Sequence, residues 1–259
     1  MTSKQRLGLL SHRSAWWGTR LPAMLAGMET IGLLGGMSWE STALYYRTAN
    51  ELVRDREGGL ASASLLLRSL DFRTVRACQL EDRWDDAADL LLAEARALES
   101  AGAGLVLLCT NYMHKVAPVL EAGLAVPFLH IADAVAAAAP GPVVGLLGAA
   151  GTVREPFYRE RLAAAGLTVL VPPEDDVERV DAAIFGELCR GVLSDGTRAE
   201  LRAVIARLAA RGVDAVALSC TELELLLRPE DSPVPLLPSA RLHVTAAVDA
   251  ALAPSALVV

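Results

Sequence analysis

Short apolar runs alternate with amphipathic stretches from Glu29 onward, and this alternation constrains the fold more than any other feature of the chain. The runs cover residues 30–34, 64–67, 105–108, 126–129, 143–147, 168–171 and 215–218, and several are rich in Val and Ile. Between most of them lie stretches with helical periodicity, such as 84–100 and 197–211. A short strand that is apolar on both faces needs cover on both faces, and interleaved helices supply it. The pattern predicts an α/β chain whose parallel strands are sandwiched between helices.

The pattern also repeats. Residues 31–36, Ile-Gly-Leu-Leu-Gly-Gly, resemble residues 144–149, Val-Gly-Leu-Leu-Gly-Ala, at an offset of 113. Residues 102–110, Gly-Ala-Gly-Leu-Val-Leu-Leu-Cys-Thr, resemble residues 212–220, Gly-Val-Asp-Ala-Val-Ala-Leu-Ser-Cys, at an offset of 110. Two motifs recurring in the same order at nearly the same offset predict two similar α/β halves. Ligands of open parallel sheets lie outside the carboxyl ends of the strands, so the site is expected in a cleft between the halves.

Size and charge narrow the partners. A chain of 259 residues with 53% hydrophobic residues can bury two mid-sized cores. A net charge of −7 lacks the basic field that a nucleic-acid backbone requires. The mean hydropathy of +0.36 raises the question of a membrane span, but the uncharged stretch 134–153 is broken by Pro140, Pro142 and four glycines. Arg13 and Arg20 interrupt any signal-peptide core. A soluble cytoplasmic protein is expected, with no nucleic-acid or membrane partner. The four cysteines form no CxxC pair and the four histidines have no metal-ligand spacing, so no metal site is expected.

Chemistry-bearing residues cluster just past the apolar runs. The glycines of 32–36 precede a helix beginning near Ser38. They read as an anion cradle at a helix N-terminus capped by Ser38, or as a tight turn with no ligand. Segments 108–114 and 218–222 place polar side chains directly after buried strands. Cys220 is the leading base or nucleophile candidate, since a position at the start of the following helix favours a thiolate; an inert core thiol is the bland alternative. Glu222 reads as a group that orients or neutralises a partner, or as a first-turn helix residue. Asp71 reads as a helix N-cap or a cleft residue.

At this point a family comes into view. Met28-Glu-Thr-Ile-Gly-Leu-Leu-Gly-Gly-Met-Ser-Trp-Glu-Ser-Thr42, Tyr45-Tyr46-Arg47, Cys109-Thr-Asn-Tyr-Met-His-Lys115, Phe157-Tyr158 and Ser219-Cys-Thr-Glu222 together resemble the aspartate/glutamate racemase superfamily, in particular its broad-specificity bacterial branch. The resemblance runs from Met28 to about Ala251. It implies two αβα domains related by pseudo-twofold symmetry, residues 28–133 with 240–253 and residues 134–239. It also implies a PLP-independent amino-acid racemase without cofactors, acting on aspartate, glutamate or a related amino acid, and a homodimer. In the family one residue from each half faces Cα, ordinarily two cysteines, one removing the proton and the other returning it. The matching catalytic positions here are Cys220 and Thr110. The implied substrate-binding residues are Gly36, Met37, Ser38, Asn111, Tyr112, Thr152, Thr221 and Glu222.

The chain departs from the family pattern at several places. The echo at offset 110 pairs Thr110 with Cys220. A rival register, resting on the equal spacing from Cys78 to Cys109 and from Cys189 to Cys220, pairs Cys109 with Cys220 instead. One residue along a strand reverses the face, so only one register holds; the aligned glycines favour Thr110. Tyr112 stands where the family usually has Thr, Ala149 where Thr is usual, and Pro238-Ser239 where Asp-Thr is usual. Two other readings stay open: a related one-cysteine carbanion enzyme, maleate isomerase-like or decarboxylase-like, and a carboxylate-binding protein without turnover.

Residues 1–27 carry a Trp16–Trp17 pair but neither strand nor helix period, and read as a dispensable tail. We expect a chain beginning at Met28 to keep its melting temperature and activity within error; a loss of several degrees would mean that the tail packs on the body.

Overall fold

A computed structural model describes residues 28–253, so the expectation for residues 1–27 lies outside the described residues. The first half runs β1 (Ile31–Gly35), α1 (Trp39–Glu57), β2 (Leu65–Ser69), α2 (Phe72–Leu80), α3 (Trp84–Ser100), β3 (Leu105–Leu108), α4 (Ala117–Gly123) and β4 (Phe128–Leu129). Helix α5 (Ile131–Ala137) follows. The second half runs β5 (Val143–Gly148), α6 (Ala150–Arg154), α7 (Pro156–Ala164), β6 (Thr168–Leu170), α8 (Glu174–Gly186), α9 (Asp195–Ala209), β7 (Ala215–Ser219), α10 (Leu223–Leu226) and β8 (Leu236–Pro238), and α11 (Ser239–Leu252) ends the described chain. No helix among the described residues is long and apolar enough to cross a membrane.

Each half holds a four-stranded, wholly parallel sheet, and the strand orders, β2-β1-β3-β4 and β6-β5-β7-β8, are the same. The repeat extends to register. Ile31 lies opposite Leu105, and Val144, its counterpart at offset 113, lies opposite Ala215, the counterpart of Leu105 at offset 110. Central strands β1, β3, β5 and β7 are buried throughout or nearly so, while edge strand β2 is half-exposed, since helices cover a sheet's middle more fully than its margin.

Period-two alternation sorts the side chains of β3 into two cores. Leu105, Leu107 and Cys109 pack with Ile31, Tyr45 and the α11 residues Ala240, Val244 and Val248; Val106 and Leu108 pack on the other face with Leu91 and Ala95 of α3. Strand β7 alternates likewise, with Ala215 and Ala217 in one core and Val216, Leu218 and Cys220 in the other. Helix α5 crosses the position 133/134 at which the sequence reading parts the halves, and Ile131, Ala132 and Val135 enter the core of the second sheet. Helix α11 returns to the core of the first.

Three buried histidines sit where the chain passes between the halves. The His114 ring lies 4.5 Å from that of His130 and 5.8 Å from that of His243. His243 Nε2 donates to the Leu129 carbonyl at 2.8 Å and its Nδ1 accepts the Tyr45 hydroxyl at 2.9 Å. His114 Nδ1 donates to the Thr110 carbonyl at 2.7 Å, and its Nε2 accepts the Ile131 N–H at 3.2 Å. One donor and one acceptor nitrogen per ring define neutral imidazoles. Burial holds all three pKa values down, His130 at about 4, His243 at about 3 and His114 well below its usual value; Arg161 lowers His130 further and Asp133 opposes it.

A pH dependence of stability follows. The unfolded chain protonates these histidines near pH 6.5 and the folded chain does not until about 4 or lower, so stability falls as pH drops through that window. Glu224, buried and raised from 4.5 to about 7, acts in the opposite sense by keeping its proton in the folded state. We expect melting temperature to fall from pH 6.5 to 4.5, with a net uptake of about two protons on unfolding. Thermal melts across this window check it, and a flat profile contradicts the neutral cluster.

Candidate active site

The carboxyl ends of β1, β3, β5 and β7 converge on a closed cavity of about 30 Å³ between the halves. Thr110, Asn111 and Tyr112, directly after β3, line it together with Met37 after β1. Thr152 after β5 and Cys220, Thr221 and Glu222 after β7 line it from the other half. Gly36 and Ser38 border an adjoining vestibule of about 590 Å³, which shares Phe72 and Cys189 with the cavity. A larger hollow of about 720 Å³ lies against α1 and β2, with Trp39, Tyr46 and Arg47 in its wall, but it holds neither thiol nor imidazole. The chemistry is therefore concentrated in the smallest of the three spaces.

Strand parity decides which side chains enter. Thr110 continues the Val106–Leu108 side of β3 and lines the cavity; Cys109 is completely buried among the residues of the opposite core and does not line it. Cys220 continues the Val216–Leu218 side of β7 in the same way. Thus Thr110 and Cys220, equivalent at offset 110, face one space from the two halves.

The Glu222 carboxylate organises this space. Its Oε1 accepts the Ser38 hydroxyl at 2.6 Å, across the two halves. Its Oε2 accepts the Thr221 hydroxyl at 2.9 Å and the Cys220 thiol at 3.0 Å. Two expectations change here. Ser38 occupies the N-cap position of α1, but its side chain makes no cap hydrogen bond and reaches Glu222 instead. Cys220 is not a thiolate favoured by a helix dipole: α10 has four residues and begins three positions later, and burial first, then the Glu222 charge, push the thiol well above its usual value. In the closed cleft Cys220 is a thiol donating to a carboxylate. Asp71 does both, accepting the Arg73 N–H at 3.0 Å at the start of α2 and lining the adjoining vestibule.

Two buried polar atoms of cavity-lining residues, Asn111 Oδ1 and Thr152 Oγ1, lack a hydrogen-bond partner among the described residues; Ser219 Oγ is also unpartnered but belongs to the Ala215–Ala217 side of β7, which faces the opposite core. Such atoms cost free energy unless a ligand or water meets them. Asn111 itself is held by Ser239, whose Oγ accepts the Asn111 amide N–H at 2.9 Å and donates to the Leu218 carbonyl at 2.7 Å. Glu224 in turn accepts the N–H groups of Ala240 and Arg241 at the start of α11. Sequence reading missed the role of Glu224, one turn into the motif it did find. It also missed Cys189, which follows α8 and lines the cavity beside Cys220; its thiol is raised by burial and then by Glu222. Nothing in its sequence neighbourhood marks it, because it reaches the cleft from a helix end and not from a strand end.

A space of about 30 Å³ holds about one water, so any organic ligand requires the halves to part. Besides Ser38 and Glu222, the contacts that span the gap include Tyr112 to Glu155, Lys115 to Glu155, and the Arg76 guanidinium 4.1 Å above the Phe185 ring. Among the described residues no group of three or more His, Cys, Asp or Glu side chains is placed to hold a metal ion.

Comparison with known proteins agrees with this geometry. Residues 34–247 match the family model described as Asp/Glu/Hydantoin racemase. A solved structure from Yersinia pestis assigned as an Asp/Glu racemase is 42% identical over 87% of this chain and 100% of its own, with a TM-score of 0.80. An aspartate racemase homologue from Pyrococcus horikoshii OT3 is 31% identical over 86% of this chain and 99% of its own, with a TM-score of 0.74. A variant of arylmalonate decarboxylase shares the fold at 20% identity and a TM-score of 0.54, over 86% of this chain and 93% of its own. With two parallel sheets of one topology facing a common cleft, this chain belongs to the Asp/Glu/hydantoin racemase family.

Proposed function

We propose that the protein is a cofactor-independent amino-acid racemase that removes and returns the Cα proton, with aspartate, glutamate or a related amino acid as substrate. The observation that carries this reading is the placement of Thr110 and Cys220 at equivalent strand ends facing one small cavity between the halves. Cys220 is the principal acid/base. As a thiolate it takes the Cα proton from one face and becomes a thiol; the Thr110 hydroxyl returns a proton from the other face, its alkoxide is reprotonated by water, and the hydroxide so formed takes the thiol proton and restores the thiolate. A zwitterionic Cα–H is a very weak acid, so the developing negative charge needs fixed donors in a space that excludes bulk water. The Thr152 hydroxyl is free to donate to a carboxylate, and Asn111 Oδ1 is free to accept from an ammonium group. Thr221 and Ser38 keep Glu222 oriented beside the thiol.

A second reading has one supporting observation: only one of the two opposed groups is a thiol, which suits decarboxylation or isomerisation through a single cysteine. Incubation with amino acids or with a malonate in D2O separates the two. Cα deuteration of an amino acid supports racemisation, CO2 release supports decarboxylation, and binding without either supports a carboxylate-binding protein.

Several outcomes follow from the racemase reading. Cys220→Ser should keep the fold and remove most exchange, because a hydroxyl is far less acidic than a thiol. Since burial raises the Cys220 thiol, exchange in which it acts as base should rise with pH above neutrality, and the Ser variant should lack that rise. Thr110→Cys should speed exchange from the slower enantiomer. Cys109→Ala should cost on the order of 1 kcal/mol of stability and leave exchange nearly intact. The equilibrium between free enantiomers stays at unity, so wild-type asymmetry should show in kcat and KM separately while kcat/KM stays balanced. Exchange abolished by Cys109→Ala and unaffected by Thr110→Cys would reverse the assignment.

A further inference from the structure

Tyr112 is attached directly to the strand end that carries Thr110, and its ring forms part of the cavity wall. The ring is clamped on every side that the two halves offer. Its hydroxyl donates to Glu155 Oε1 at 2.6 Å, and Glu155 Oε2 takes the Lys115 ammonium at 2.6 Å. Lys115 Nζ lies 3.8 Å above the Trp84 ring, and Trp84 meets Tyr112 edge-on at 5.2 Å. Phe157 of the second half lies on another side at 6.3 Å. Where the phenol lands on the second half the residue is Gly151, and a Cβ there would collide with the ring. A bulky residue from one half and a glycine from the other therefore meet at one contact. Burial and then Glu155 hold the phenol protonated, which keeps it a donor to that carboxylate.

We propose that Tyr112 is a specificity-determining residue: its clamped ring is the fixed wall that limits how long a substrate side chain the closed cleft accepts. The proposal rests on reading the cleft as an amino-acid site. When the halves part, both Glu155 contacts break; when they close, the same contacts return the ring to the same position. Small side chains then allow full closure. A longer one meets the ring and holds open the gap that the chemistry needs shut, and an excess methylene of that kind changes discrimination by about tenfold or more. Trp84, Lys115, Glu155 and Gly151 are positioning residues that act through Tyr112.

The test uses two graded ligand series: alanine, 2-aminobutyrate, norvaline and norleucine, and aspartate, glutamate and 2-aminoadipate. Binding is measured by calorimetry and Cα exchange by deuterium incorporation. The proteins compared are wild type, Tyr112→Phe, Tyr112→Ala, Gly151→Ala and the Tyr112→Ala/Gly151→Ala double variant, each checked by thermal melting. In wild type, affinity should drop sharply at a set chain length in both series. Tyr112→Ala should move that drop by at least one methylene, shifting the ratio of adjacent affinities by about tenfold. Tyr112→Phe keeps the ring and should keep the cut-off while weakening binding throughout. Gly151→Ala should impair binding, and adding Tyr112→Ala should rescue it, because the collision partner is gone. If Tyr112→Ala does not fold, Tyr112→Leu carries the same comparison. An identical length dependence in wild type and variant, or no binding by either, overturns the proposal. A shifted cut-off with no exchange in any protein leaves the size wall standing and sinks the racemase reading instead.

Discussion

A carboxylate buried between two domains needs donors, and in this protein the donors of Glu222 come from both. Moving a charged carboxylate out of water costs several kcal/mol even after relaxation. A hydrogen bond to a charged group returns about 1.5–3 kcal/mol. Glu222 accepts three, from Ser38, Thr221 and the Cys220 thiol, and this set is of the right size to offset the cost. Two of the donors, Thr221 and Cys220, are neighbours in sequence; Ser38 belongs to the other half. Parting the halves removes that bond and leaves Glu222 its two local donors, so closure of the cleft completes the donor set beside the thiol.

The twofold repeat explains why the site is symmetric in position and asymmetric in chemistry. Equal strand order and equal register put residues 110 and 220 at the same place in their halves, and the two-residue period of a strand aims both at the cleft. The repeat does not dictate what those residues are. Around Cys220 stand Glu222 and Cys189; around Thr110 stand Asn111, Tyr112 and the buried His114, whose Nδ1 holds the Thr110 carbonyl. One half thus brings a thiol and a carboxyl group to the cavity, and the other brings an amide and an aromatic ring. Burial keeps the histidines at the crossing points neutral, so they place no charge beneath the site.

Most of the architecture was legible because apolar strand pattern and turn chemistry are local. Helix α3 matches its periodic stretch, 84–100, residue for residue, and the echo of residues 102–110 in 212–220 fixed the pairing of Thr110 with Cys220. What remained illegible depends on distance in space. Ser38 looked like a cap because its neighbours are a strand and a helix; the acceptor that draws its hydroxyl away lies 184 positions later. Cys220 looked activated because a helix follows, but burial outweighs a four-residue helix, and burial is a property of the assembled halves. Strand β8 was missed because Pro238 ends it and only three residues pair, too few to carry a pattern of their own.

The raised thiol is consistent with catalysis and not opposed to it. Burial leads among its causes, and the charge of Glu222 comes next. Both favour the neutral thiol, and both make the thiolate, once formed, a stronger base than an exposed one. Under the proposed racemase reading, a ligand ammonium would add a positive charge beside Glu222 and act against the second cause, and its carboxylate would meet the unpartnered Thr152 hydroxyl. By linkage, whatever free energy the bound cation contributes to ionising Cys220 is contributed equally by the ionised thiol to holding the cation. On the proposed racemase reading, burial and Glu222 favour the protonated thiol, and a cationic ligand beside it would favour the thiolate. The wall at Tyr112 belongs to the same balance, since a ligand too long for closure leaves water in the cleft, where a hydrated thiolate is the weaker base.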